Sequence, residues 1–245
     1  MRFSHVHDDN LLRKMVWCIL KATCEDIPQL LRENNWDICN GLGHTRSNYI
    51  CTRLRRYIES QDINIVIFRR SSWQGCIVVD RANKNAYTII TKSSLQSLLL
   101  TAPQHPNRHY LQILLRVENG DLPAAQVSFW DQDLPDDDEL LPEFKSIVQG
   151  VIDPAEGYRH FVIEYSPAHG HIKDINLLLY NGNLEFVDRE SLMRFVDPDS
   201  GALTAPDNGP NDPPPSTDQA DEDSKTLPKL KPGLKPKLRD IPEQA

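Results

Sequence analysis

Apolar residues near the start of the chain fall on one helical stripe. Leu11, Leu12, Met15, Val16, Ile19 and Leu20 recur at three- and four-residue spacing behind Asp8 and Asp9, which are good N-cap residues. This predicts a helix over residues 8–22. Asp26-Ile27-Pro28 signals a second helix, with proline in the first turn, where its missing N–H costs nothing; Asn34-Asn35 keep it short. Gly41 and Gly43 mark a loop. Tyr49, Ile50, Leu54, Tyr57 and Ile58 then share one face of a third helix over about 47–60.

The period then shortens. Ile63 to Phe68, Cys76 to Val79 and Tyr87 to Thr91 are β-branched runs, and the polar turn Arg81 to Asn85 joins the last two as a hairpin. Ser93 or Ser94 can cap a helix through Leu95, Leu98 and Leu99, ended by Pro103 and Pro106. Tyr110 to Val117 reads as a strand closed by Asn119-Gly120, and Val127 to Trp130 as a shorter one. The acidic run Asp131 to Glu139 leads into a helix around Phe144, Ile147 and Val148. Phe161 to Tyr165, His171 to Tyr180 and Leu184 to Val187 form a meander with turns at Pro167 to Gly170 and Asn181-Gly182. Asp188 caps a last short helix through Leu192 and Phe195. The predicted class is α+β: N-terminal helices, a mostly antiparallel sheet with interspersed helices, then a disordered C-terminal tail.

The tail follows from composition. Phe195 is the last aromatic residue, and ten of the 18 prolines lie between Pro198 and Ala245. Such a stretch buries too little apolar surface to offset the entropy of ordering its backbone. The expected division is a globular region over 1–197, either one domain or two subdomains meeting near 119–125, and a tail over 198–245. Asp199 to Asp223 holds seven acids and no base; Lys225 to Arg239 holds six bases and no acid. Leu230 and Leu234, set among lysines and prolines, are candidate anchors of a linear binding motif, against the alternative of a solubilising spacer.

Net charge is −8, so no global field pulls the protein toward nucleic acid or anionic membrane. Cys18, Cys24, Cys39, Cys51 and Cys76 show no C-x-x-C pairing and read as isolated, reduced, small hydrophobes. No run approaches the length of a membrane span, and the N-terminus has no apolar signal core, so the expected location is the cytoplasm without membrane contact.

Asn35-Trp36-Asp37-Ile38, Arg69-Arg70-Ser71-Ser72-Trp73, Asp80 with Tyr87-Thr88, and His109-Tyr110-Leu111 occur in that order. Together they resemble a bacterial domain family of unknown function over about residues 30–120. The pattern is a W-D dipeptide before a helix, R-x-x-W between strands, a Y-T strand and an H-Y start to a further strand. The resemblance implies a bacterial origin and a setting such as a defence or toxin–antitoxin module. It brings no catalytic residues.

The predicted order αβββαβ is also similar to the core of restriction-endonuclease-like nucleases, which hold Mg²⁺ on an Asp and an acid-x-Lys pair. Asp80 and Lys92 fall at the Asp and Lys positions, but Ile90 stands where the acid is required, so Glu59 would have to help. Arg69 and Arg70, with the arginines of the third helix, can form a nucleic-acid-binding face with Trp73 as a stacking platform. Alternatively the arginines are a solvated surface and Trp36 and Trp73 are core anchors. His5 and His7, His105 and His109, and His169 and His171 lack a third ligand at metal-site spacing, and Asp131 to Asp136 lacks the glycine of a calcium loop. No cofactor or metal motif is present. The expected function is therefore binding of another protein rather than catalysis; the alternative is a nucleic-acid-acting protein on a degenerate nuclease-like core.

Overall fold

The Asp8 carboxylate accepts a hydrogen bond from the Asn10 N–H at 2.8 Å and starts the first helix, α1 (Asp9–Lys21). The computed structural model describes residues 7–34, 41–70, 73–105, 109–123, 137–168 and 171–196. A wider π-helical turn (Ala22–Asp26) carries α1 straight into α2 (Ile27–Asn34). Asp26 therefore starts no separate helix. Its carboxylate instead takes both N–H groups of Arg53, each at 2.6 Å, from α3 (Leu42–Tyr57).

Three strands follow as an antiparallel meander: β1 (Ile63–Arg70), β2 (Trp73–Asp80) and β3 (Asn85–Thr91). Then come α4 (Lys92–Thr101), a 3-10 turn (Ala102–Gln104), α5 (Tyr110–Asn119) and α6 (Asp137–Val148). The chain returns to the sheet as β4 (Arg159–Ala168), parallel to β3, and ends in the antiparallel strands β5 (His171–Tyr180) and β6 (Phe186–Ser191). One six-stranded sheet in the order β1-β2-β3-β4-β5-β6 results, with β3–β4 its parallel pair. The strands on either side of 119–125 thus belong to the same sheet.

Alternation along the strands gives the sheet two apolar faces. Val66, Phe68, Val79, Ala86, Ile90, Val162 and Leu178 pack under α4, α5 and α6. Ile65, Val78, Tyr87, Phe161, Ile163 and Leu177 pack against α1 and α3.

The segment expected as a strand over Tyr110 to Val117 is α5. His109 and Gln112 form a capping box at its start, with the Gln112 side chain taking the His109 N–H at 2.8 Å. Its apolar run is buried on nearly every side, which erases the helical stripe and mimics a buried strand. The last strand covers Phe186–Ser191 rather than 184–187, so Asp188 lies within β6 and only a 3-10 turn (Met193–Phe195) follows. The expected strand at 127–130, the loop at 131–136 and the tail with Leu230 and Leu234 lie outside the described residues.

Cysteine usage needs a second correction. Cys51 of α3 and Cys76 of β2 form a disulfide with a Cα–Cα distance of 6.2 Å, whereas Cys18 and Cys24 are free. Nothing in the spacing of 51 and 76 signals the pairing, because it depends on α3 lying across β2.

Candidate functional site

Of the residues that carry the family resemblance, Arg70, Trp73, His109 and Tyr110 come together. Arg70 and Trp73 face each other across the end of the β1–β2 hairpin. The Trp73 ring stacks on Tyr110 at 5.1 Å and meets Phe68 edge-on at 5.7 Å. Gly75 makes room for this: it sits opposite Phe68, and a Cβ there would lie 2.5 Å from the Trp73 ring and 2.7 Å from the Phe68 ring. Trp73 is thus partly buried against the core beside α5. Arg70 pairs with Glu143 of α6 at 2.5 Å. Arg69 is its neighbour on the strand and points to the opposite face. Arg53 is held by Asp26, and Arg55 by Glu59 at 3.5 Å. The arginines therefore divide between two faces of the sheet.

His109 is the N-cap of α5, and its Nδ1 accepts the Leu111 N–H at 3.2 Å. Burial, with a smaller contribution from the Arg70 charge, pushes its pKa down to about 4. The ring is neutral near pH 7, and with Nδ1 used as an acceptor its proton resides on Nε2. Below the ordinary value of 6.5 the unfolded chain takes up this proton before the folded one does, so stability falls as pH drops from about 6.5 to about 4. His109→Asn keeps a capping oxygen and removes the titration. Urea unfolding at about pH 7 and about pH 4.5 should show a smaller acid loss in the variant than in the parent; equal losses would sink this assignment.

His109 also lines a cleft of about 630 Å³ that runs along α4. Ser93, Ser97 and Thr101 supply hydroxyls from one face of α4, and His105, His109 and Gln112 close the other side. Gln112 is fixed by donating to the Ala102 and His105 carbonyls at 3.4 and 3.3 Å. Thr101 donates to the Ser97 carbonyl at 2.9 Å, which leaves its lone pairs for a ligand. Among the described residues, no Lys, Arg, Asp or Glu lines the cleft.

The nuclease-like residues do not converge. Asp80 pairs with Asn85 at one end of β3, while Lys92 follows Thr91 at the other. Seven residues of extended chain separate the two ends, roughly 23 Å. Asp80 is buried and accepts the Asn83 N–H at 3.1 Å and the Asn83 side-chain amide at 2.7 Å, so it organises the β2–β3 turn. Glu59 lies toward the Asp80 end and pairs with Arg55. Ile90 belongs to the core. With α5 in place of the fourth strand, the αβββαβ order is absent as well. Among the described residues, no cluster of three or more His, Cys, Asp or Glu side chains could hold a metal ion.

The chain matches the model of a family of unknown function (DUF5986) over residues 4–244. It belongs to that family. No curated protein and no solved structure matches it. Within this DUF5986 chain the matched span contains all four residue groups of the resemblance, of which Trp36-Asp37 lie outside the described residues.

Thr88, from the Y-T group, enters a second arrangement that sequence reasoning missed. Its hydroxyl lies 2.8 Å from His160 Nε2, and His160 Nδ1 lies 2.7 Å from Glu118 Oε2. Carboxylate, imidazole and hydroxyl in this order resemble a nucleophile relay. However, Thr88 and His160 are 0% exposed and the Glu118 side chain is 2% exposed, so no substrate reaches them. The relay joins β3, β4 and α5 inside the core. No sequence signal could have found it, because Thr88 and His160 are 72 residues apart.

Proposed function

We propose that this protein binds another polypeptide, receiving an extended segment in the cleft along α4. The lining carries the reading. Ser93, Ser97 and Thr101 are four residues apart and repeat at about 6 Å along the helix. An extended chain repeats every two residues at about 6.6 Å, so each hydroxyl can meet a successive backbone carbonyl or N–H on one side of it. His109 adds an Nε2–H donor, and Leu98 and Ala102 provide apolar floor. A nucleic-acid backbone asks instead for cations, and among the described residues no Lys or Arg lines the cleft.

The setting we attach to this reading is bacterial and cytoplasmic, within a defence or toxin–antitoxin module, and it rests on the family resemblance. The Cys51–Cys76 disulfide counts against the cytoplasmic part of this setting, and thiol labelling in intact host cells decides it: reaction at both cysteines keeps the cytoplasm, and full protection replaces it with an oxidising location.

A photo-crosslinking amino acid at Ser97, with Leu100 on the exposed side of α4 as control, tests the function in the native host. A protease-sensitive adduct specific to Ser97 is expected. A nuclease-sensitive adduct would replace the reading with nucleic-acid binding. No Ser97-specific adduct would remove the cleft as the binding site.

A further inference from the structure

α3 has a thin apolar hold on the sheet. Of its 16 residues Ile50 and Leu54 are buried, against seven of 13 in α1. Its N-cap is Gly41, which brings no side chain to the first turn, and residues 59–62 beyond its end are exposed. Its aromatic and ionic ties run to other helical segments. The Tyr57 ring meets Trp17 of α1 edge-on at 5.0 Å, and Arg53 lies over that Trp17 ring at 5.5 Å while pairing with Asp26 of the π-helical turn. Its covalent link to the sheet is the Cys51–Cys76 disulfide. Neither cysteine is fully buried. Cys76 lies opposite Ile67, which shares its face of the sheet and is 37% exposed, so solvent reaches this part of the face. Burial pushes the Cys18 thiol up to about 12 and also raises that of Cys24. Both stay protonated near neutral pH, so opening the bond takes a thiolate from outside the chain.

We propose that the Cys51–Cys76 disulfide is a redox latch on α3: intact, it pins the helix to β2, and reduction by a dithiol lets α3 open while the sheet stays folded. The dithiol's thiolate attacks one sulfur, forms a mixed disulfide and expels the other sulfur as a thiolate. Its second thiol then closes the donor's own disulfide. Two electrons and two protons thus pass to Cys51 and Cys76, and exchange with an oxidised dithiol reverses the step. With the bond intact, an opened α3 remains a closed loop of roughly a dozen residues between Cys51 and the start of β1. Closing a loop of about that size lowers the open population by about a hundredfold, and reduction removes this restraint. Opening uncovers apolar surface: Ile50, Leu54 and Ile58 on the helix side, Ile65 and Val78 on the sheet side. The latch lies on the face packed by α1 and α3, and the cleft along α4 on the other, so either proposal can fail alone.

The experiment follows amide hydrogen exchange in the full chain, oxidised and after treatment with dithiothreitol at the same pH. Reduction should speed exchange of residues 50–57 at least about tenfold and leave residues 161–165 and 177–179 unchanged. Reoxidation with oxidised glutathione should restore the slow rates. Cys51→Ser combined with Cys76→Ser should show the fast α3 rates with or without dithiothreitol. If that variant does not fold, the unmodified chain decides. A bond that survives dithiothreitol unless urea is added would overturn the proposal, as would a smaller acceleration in α3 or slow rates that reoxidation does not restore. Equal acceleration in α3, β4 and β5 would overturn it too, because the disulfide would then be a staple of the whole fold.

Discussion

Replacing Asn119 with alanine lowers the unfolding free energy by about 3–5 kcal/mol. Asn119 is the last residue of α5, fully buried, and its side chain stands in for a missing piece of sheet. Its Nδ2 donates to the His160 carbonyl at 2.8 Å and the Tyr180 carbonyl at 2.7 Å, and its Oδ1 accepts the His160 N–H at 2.9 Å. The β4–β5 pairing ends at Phe161 and Leu179, so these three backbone groups lie just beyond the ladder. Alanine leaves all three buried without that partner, and each unsatisfied group costs about 1–3 kcal/mol. Urea denaturation measures the difference. A loss under about 1 kcal/mol would mean that water replaces the amide. The neighbouring backbone leaves little room for that: the Asn119 carbonyl accepts the Gly182 N–H at 3.1 Å, and a Cβ on Gly182 would lie 3.0 Å from the Gly120 Cα.

Breaking the buried relay should also cost stability. Glu118→Ala removes the partner of His160 Nδ1 inside the core and is expected to destabilise the protein by about 1–3 kcal/mol. Among the described residues Glu118 Oε1 has no hydrogen-bond partner, so the carboxylate contributes through one oxygen and is costly to bury. Replacing the group together, as Glu118→Leu with His160→Phe and Thr88→Val, should recover most of the loss, because replacing all hydrogen-bonding partners by apolar groups of similar shape leaves no buried polar group unsatisfied. A mutant cycle over these positions measures the coupling. The triple variant should still crosslink at Ser97, since none of the three side chains lines the cleft. Loss of crosslinking in a folded triple variant would give the relay a functional role that its burial argues against.

Asp80 shows how far local reading reaches. A carboxylate at a strand end, three residues before Asn83, is legible as a turn-former, and Asn83 bonds to it as that reading requires. The β2–β3 hairpin and α1 were legible for the same reason: period, capping and turn chemistry act within about ten residues. The cap of α4 is Thr91, which accepts the Ser94 N–H, rather than the expected Ser93 or Ser94. At α5 that local signal failed. Leu111, Ile113, Leu114 and Leu115 are all buried, so the run carries no polar face to set its period. Its capping residue is a histidine, outside the usual set of Ser, Thr, Asp and Asn. The site was legible only as separate pieces. Trp73 and His109-Tyr110 drew notice through the resemblance, but that Trp73 stacks on Tyr110 depends on α5 being a helix on that face of the sheet.

The sequence by itself determined the elements whose reasons are short-range: helices with their own caps, strands with their own alternation, and the α+β class they add up to. Tertiary structure alone decided the rest. It set β3 parallel to β4, brought Cys51 to Cys76 and held Thr88 against His160. Each of these joins segments separated by 25 residues or more. Such contacts depend on which faces the assembled sheet buries, and the residues on either side carry no mark of the partner they will meet.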